Sequence, residues 1–498
     1  MKQMKSMVLY ALMVLVQIAM FSSCSSEKEN YLTSLPAESS LVIKVNATQM
    51  VQKSNIMNNP MVGALFMQIE SNVPTSLKEK FDEIKQDPRS SGLDLEKPLA
   101  ISVVLNDLNK PQIVAVAAIS NATKFDELMT QMASAENEFQ IEKTDKGMQK
   151  ILIPGNDEAD IVYNDNRILV TVGMDAEKLI AQDAQQSILS NPNFKKFAES
   201  TDDYSIFFDY NWVTKALKQQ GQLELPPTIE LMKGSSIFFT INFEQGKVVG
   251  NAEVYANDEL KKYQEKFYIN PSGKFIGLLP ESTYLAISGG AKNLAEIFDM
   301  MGEKDRQMVE NSLQNMGLST EILNTIEGET TLGIFDDSNP LGIPGFVLAA
   351  ECNDRSLFDA IKKLTNNEST EGDVLNIMGY YIVYIDGALI ATTQSIYDQC
   401  LADGKIKELN HRNPIMDKVL KKGGIVIDFQ AIAQNPLLNQ MKGDRKVASV
   451  LNVLNQLNYL TAQYESLEKS NTELTFKDSS KNALEQLISI GIGVAMSN

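Results

Sequence analysis

The sequence predicts an α+β protein of two homologous domains from internal duplication, each a largely antiparallel sheet with helices packed on one face. Three observations carry this expectation. Five segments recur in the same order in the two halves of the chain. Turn residues between short apolar runs mark hairpins, which pair neighbouring strands antiparallel. Apolar residues spaced i, i+3, i+4, i+7 mark amphipathic helices between those runs. A doubly wound parallel sheet is the alternative, and the hairpins argue against it.

The repeat begins with Leu35-Pro36-Ala37-Glu38-Ser39-Ser40-Leu41-Val42-Ile43, matched by Leu279-Pro280-Glu281-Ser282-Thr283-Tyr284-Leu285-Ala286-Ile287. Each is a proline-bearing turn entering an apolar strand, followed by a helix start at Asn46-Ala47-Thr48 or Gly290-Ala291-Lys292-Asn293. Helices then cluster, over Thr48 to Ile56, Pro60 to Ser71 and Pro74 to Gln86 in the first half. Pro60 and Pro74 suit the first turn of a helix, where the missing N–H costs nothing. The second half offers Asn293 to Met301, Lys304 to Met316 and Thr320 to Ile326. Val116 to Asn121 leads to a helix carrying Phe125, Leu128, Met129 and Met132 on one face; Val347 to Cys352 leads to one carrying Leu357, Phe358, Ile361 and Leu364. Arg167 to Thr171 matches Ala388 to Thr392, and Ser205 to Tyr210 matches Gly424 to Phe429. Ser236 through Val254 and Tyr459 through Phe476 form the last pair, each closed by a helix, Asp258 to Tyr268 and Lys481 to Ile490. Hairpin turns fall at Glu244 to Lys247, at Asn164-Asp165-Asn166, and at Asp386-Gly387, the strongest of the three.

The N-terminus has the parts of a lipoprotein export signal. Lys2 and Lys5 make a positive n-region, Met7 to Phe21 an apolar h-region broken only by Gln17, and Ser22-Ser23 the small residues before a cleavage site at Cys24. The apolar stretch is too short to span a bilayer, which takes roughly 20 residues. The expected organisation is residues 1–23 as signal peptide, 24–30 as a lipidated tether, 31–272 as the first repeat domain and 273–498 as the second. Cys24 is the expected lipidation site, and two or more acyl chains anchor stably where one is marginal. Glu27 and Glu29 form a short acidic segment after it, which some bacteria read as export to the outer face of the outer membrane. The expected location is therefore extracytoplasmic, lipid-anchored to the outer membrane, with surface display as the further expectation.

Composition bounds the partners. The net charge is −19, and loss of Lys2 and Lys5 with the signal makes it −21. Nucleic acid is excluded as a partner, because it needs clustered Lys and Arg, and direct attraction to anionic lipid heads is disfavoured. Beyond Cys24 only Cys352 and Cys400 remain, so this is no disulfide scaffold, and spacing alone leaves open whether the two pair or stay buried thiols.

Signals for chemistry are sparse. His411 is the single histidine and sits in the polar loop Leu409 to Pro414, so a Ser-His-Asp triad has only that residue to use, and no Gly-x-Ser-x-Gly elbow accompanies it. His/Cys zinc sites lack ligands, and no phosphate-binding Gly-rich fingerprint is present. No catalytic, cofactor-binding or metal residue is expected, and no cofactor. Asp209 and Asp428 close equivalent strands, and Asp165 and Asp386 sit in equivalent turns; helix capping and turn formation are their expected roles, with paired-carboxylate hydrolysis as the alternative. Asp336-Asp337-Ser338-Asn339 is oxygen-rich but lacks EF-hand spacing and reads as a turn. Trp212 is expected to pack at a helix–sheet junction. Met129 and Met132, and Met300 and Met301 near Phe298, read as core filling.

Ser22-Ser23-Cys24-Ser25-Ser26, Leu35-Pro36 before the first strand, and Ser91-Gly92-Leu93-Asp94-Leu95-Glu96-Lys97-Pro98 before a hairpin together resemble a family of Bacteroidetes lipoproteins of about 500 residues. Its members carry a domain of unknown function through the mature chain. The resemblance implies an envelope location and transfers no catalytic residue. The functional expectation is a lipid-anchored envelope protein in a non-enzymatic binding or assembly role, its partners the membrane through the anchor and an unknown protein or extracellular ligand. A carboxylate-dependent hydrolase and a purely structural envelope component are the alternatives.

Overall fold

A computed structural model describes residues 30–56, 73–107, 110–136, 139–153, 159–219, 227–315, 317–337, 343–365 and 372–497. Its nineteen strands form one sheet. In chain order they are β1 (Leu41–Val45), β2 (Leu99–Val104), β3 (Gln112–Ala118), β4 (Gln140–Lys143), β5 (Gln149–Leu152), β6 (Ala159–Tyr163), β7 (Arg167–Val172), β8 (Tyr204–Asp209), β9 (Ser236–Glu244), β10 (Lys247–Tyr255), β11 (Thr283–Ala291), β12 (Ile326–Phe335), β13 (Gly345–Cys352), β14 (Val374–Ile377), β15 (Tyr380–Ile385), β16 (Ala388–Thr393), β17 (Gly424–Asp428), β18 (Leu457–Ser466) and β19 (Lys469–Phe476). Every pairing is antiparallel. Across the sheet the first half runs β4-β5-β6-β7-β3-β2-β1-β8-β9-β10. The second half continues from β10 as β19-β18-β17-β11-β12-β13-β16-β15-β14. Read from their outer ends, β5 to β10 and β14 to β19 follow the same connection order, and β4 has no counterpart among the described residues.

The halves meet where β10 pairs with β19, from Lys247 opposite Thr475 to Glu253 opposite Lys469. Two separate sheets were expected; instead the two halves share one. Nothing local in either strand announces this, because the partner is more than two hundred residues away. Helix Ala483–Ser497 packs on β9 and β10 of the first half and on helix Ala47–Ser54, while helix Asp258–Phe267 sits beside the β18–β19 turn, held by Lys261 to Glu468 (3.4 Å). Each half thus sets its last helix against the other, one on the hairpin strands and one at the hairpin turn.

The expectation of helices on one face is also corrected: they cover both. On one face Phe197, from helix Lys195–Glu199, stacks edge-on to Phe238 at 5.7 Å and, with Phe194, encloses Phe207. On the opposite face Phe125, from helix Ala122–Glu136, meets Tyr163 at 5.2 Å over Ile161 and Ile168. The strands explain this. Val42 and Phe207 point to the first face, and Ile43 and Ile206 to the second, so apolar residues of both parities need cover. The second half repeats the first-face core with Ala286, Val347, Ile390 and Val426 under segments around Phe275, Ile396 and Val419.

The helices expected at Thr48 to Ile56, Pro74 to Gln86, Asn293 to Met301 and Lys304 to Met316 are found as Ala47–Ser54, Lys78–Gln86, Leu294–Asp299 and Glu303–Asn315. Pro60 to Ser71 lies outside the described residues. The three hairpins form as expected, and Asp386 and Gly387 both take positive φ, 51° and 71°, as a two-residue turn requires.

Val254 N–H donates to the Glu468 carbonyl and Phe476 N–H to the Gly246 carbonyl, each at 2.8 Å. The antiparallel alternation therefore puts Gly250 and Thr472, at the centre of the joint, among the pairs that exchange both bonds. Thr472→Pro deletes one of them and is expected to cost about 2–3 kcal/mol. Calorimetry should then resolve separate unfolding of the two halves where the parent unfolds in one transition.

Candidate functional site

The carboxylates singled out in the sequence serve the backbone. Asp209 accepts from Asn211 N–H (2.8 Å), and burial raises its carboxyl above the usual range. Asp428 accepts from Ala431 N–H (2.9 Å) and from the Asn413 amide (3.2 Å). Both cap the helix that follows their strand. Asp165 and Asp386 occupy turns at the strand ends, some distance along the chain from these caps. His411 is exposed. Cys352 and Cys400 are both free and buried, and burial pushes both thiols up. Trp212 packs edge-on to Phe208 at 5.5 Å. Met129 and Met132 pack against the Phe125 core. Asp337 accepts from Ser395, while Ser338 and Asn339 lie outside the described residues. Cys24 lies outside them as well, and no group of three or more His, Cys, Asp or Glu able to hold a metal occurs among them.

A buried lysine that sequence reasoning missed is also structural. Lys44 donates to the carbonyls of Phe197 (2.7 Å), Ala198 (3.0 Å) and Ser200 (2.8 Å), closing the C-terminal end of helix Lys195–Glu199. Burial lowers its ammonium to about 8, against the opposing pull of Asp202.

What distinguishes one part of the molecule is uncovered apolar surface. Thirteen large apolar side chains stand exposed among the described residues, and twelve of them lie beyond residue 272. Three of them, Ile425, Ile287 and Leu348, share one row on one face of the second half-sheet. Ile425 pairs with Ile287, Ile287 with Leu332, and Leu332 with Leu348, so these side chains form one lateral row. Ile425, Ile287 and Leu348 are 38, 39 and 49 % exposed. Leu332 is half-buried, as are the same four positions of the first half, Ile206, Ile43, Ile101 and Ala115, while Phe239 beside Ile206 is 37 % exposed. The next row contains Phe346, whose ring lies 5.4 Å from that of Tyr380. Beyond it, Met378 is 96 % exposed at the tip of the β14–β15 hairpin. Met378 and Gly379 both have positive φ, 53° and 88°, a turn that normally takes Asn or Asp at the first position. The spacing of a large apolar residue before Gly379, where a polar one is the rule, is the signal the sequence offered for this site.

The last helices of the two halves also differ: Ala483–Ser497, on β9 and β10, is fifteen residues of mostly apolar sequence, whereas Asp258–Phe267 is ten residues with six charges. On the other face, at the outer edge, an open pocket of about 340 Å³ lies between β14–β15 and the turn of π-helix Tyr397–Leu401, lined by Val374, Val383, Ile385, Tyr397 and Leu401 with Asp373 and Asp386 at its rim.

The linkage of Lys44 has a defined sign. Its folded value lies below the ordinary 10.5, so its contribution to stability is full above pH 10.5 and lost as pH falls through about 8. Relative to Lys44→Met, the parent protein should therefore gain stability between pH 8 and 10.5 in denaturant titrations. A difference that stays flat across that window would contradict the assignment.

Comparisons with known proteins place the chain by family. No curated protein matches it. Among solved structures, "Structure of crystal form IV of TP0453" aligns at 13 % identity over 46 % of this chain and 81 % of that one, with a TM-score of 0.27. "Structure of crystal form I of TP0453" aligns at 12 % over 47 % and 81 %, with a TM-score of 0.26. The model of the domain of unknown function DUF4836 matches residues 31–396, from the first 3-10 turn to the segment after β16. This chain belongs to the DUF4836 family.

Proposed function

We propose that this protein is a lipid-anchored component of the cell envelope with a non-enzymatic binding or assembly role, and that a protein partner docks on the uncovered apolar face of its second half. The observation that carries the reading is an asymmetry between halves of like topology: Ile287, Ile425 and Leu348 are exposed where Ile43, Ile206 and Ala115 are half-buried. An exposed apolar patch of this kind marks an interaction surface. The row is an open strip, and a small ligand usually needs enclosure on most of its surface, so a macromolecular partner fits better. The engagement of Asp209 and Asp428 as helix caps weighs against the paired-carboxylate reading.

The export signal ending at Cys24 supports the anchored, outer-membrane part of the proposal. The shared connection order of the two half-sheets supports an origin by internal duplication, with the first unit over 31–272 and the second over 273–498.

Two measurements test this. Mass spectrometry of the mature N-terminus should find acylated Cys24, and an unmodified cysteine would remove the anchor. A photo-crosslinking residue at position 348 should yield a discrete protein adduct in cells, and the same residue at position 115 should not. Equal labelling at both positions would remove the proposed surface.

A further inference from the structure

We infer that β14 is an acceptor edge for an extended segment of a partner chain, one that carries an apolar residue next to a basic one. This rests on the reading of the second half as the interaction end and names what docks there.

The two outer ends of the sheet differ by one strand. In the first half β5 is covered by β4, paired from Gln140 opposite Leu152 to Lys143 opposite Gln149. In the second half β14 stands in the place of β5 and is the last strand among the described residues. Its outward groups follow from the register. Tyr384 N–H donates to the Asp373 carbonyl at 2.9 Å, so 373–384, 375–382 and 377–380 are the pairs bonded inward. Val374 and Asn376 therefore turn their N–H and C=O groups away from the sheet.

Natural edges are usually guarded by charge, proline, bulges or a covering element. The β4 edge follows that rule, with Glu142 and Lys143 exposed. Among the described residues the β14 edge has none of these devices within the strand: its sequence is Val-Leu-Asn-Ile, and the exposed Met378 follows it. Beside it lies the pocket of about 340 Å³ floored by Val374, Val383 and Ile385. A strand added to β14 would place alternate side chains on that face, where one apolar side chain can enter the pocket. Charge selects the rest of the segment. Asp373 and Asp386 stand at the pocket rim, and the Asp386 carboxylate has no partner among the described residues, whereas Asp373 is paired with Arg355. A basic neighbour on the incoming strand answers that charge. A second copy of this chain would bring its own aspartates to the same place, so self-pairing is disfavoured.

The test uses the full-length chain in detergent solution and a capped synthetic decapeptide of alternating Val and Lys. The peptide should slow amide exchange at Val374 and Asn376 by tenfold or more. Asn376→Pro should weaken its binding at least tenfold without lowering the melting temperature, because proline is tolerated where the N–H faces outward; Val374→Pro serves if that variant is unstable. Asp386→Asn should weaken binding and reduce its salt dependence. Unchanged exchange at the two amides, or proline variants that bind as tightly as the parent, would overturn the inference. So would a peptide-free dimer that Asn376→Pro dissolves, which would assign the edge to self-association. Leu348→Glu separates this from the broader reading: it should leave the amide protection intact, so protected amides without a crosslink at position 348 would retain the edge and discard the docking face.

Discussion

The pairing of β10 with β19 is the constraint on which the rest of the structure depends. It joins strands more than two hundred residues apart and turns two half-sheets into one. It fixes their faces as well as their edges, because antiparallel partners share a face: Thr240, Asn251, Asn471 and Gln463 line one side of the joint, and Ile241, Gly250, Thr472 and Ala462 the other. The first side stays polar and is crossed by Lys247 to Glu473 (3.2 Å). On the second side Gly250 and Thr472 stand between the apolar residues of the two halves, Ile241 and Ala462. Glu329 reinforces the connection between units, accepting from Ser272 N–H (2.7 Å) and Gly273 N–H (2.9 Å). Contacts of such sequence separation form late, since loop closure must precede the reward. The exchanged helices at 258–267 and 483–497 can settle only once the hairpins they cover are adjacent.

Much of each half was legible in the sequence because its signals are local. Gly246 and Asp386-Gly387 specify tight turns, and the strands beside them alternate or run apolar. Asn46 and Asp428 announce helix starts, and each indeed accepts a backbone N–H in the first turn. The matched Leu35-Pro36 and Leu279-Pro280 segments occupy equivalent places beneath the sheet. The merger of the half-sheets was not legible, because the apolar alternation of β10 is compatible with any antiparallel neighbour. The second helical layer was missed for a related reason. Runs such as Leu41-Val42-Ile43 show that both strand faces need cover, but not which distant segment supplies it.

The exposed apolar row was the least legible feature. Ile287 and Ile43 are the same residue type at like positions, and only the elements above them make one exposed and the other half-buried. That difference becomes readable only when the topology says what lies over each strand. The buried polar groups teach the converse lesson. Lys44 and Glu329 are charged residues in strands, and each is spent on backbone groups at a chain reversal. Such groups resemble active-site residues by burial alone, and their hydrogen-bond partners show otherwise.

The linear strand order has a mechanical consequence. Eighteen inter-strand spacings of about 4.8 Å give an arm of about 86 Å before twist is counted. Asn30 enters the fold near the β7 end of that arm, where its carbonyl accepts from Arg167 (3.3 Å), while β14 closes the opposite end. A chain held at its N-terminus by a six-residue leash, about 20 Å at full stretch, would sweep its far edge through a shell much wider than the leash itself. Reach would then be set by the stiffness of the hydrogen-bonded lattice, and capture radius by its length.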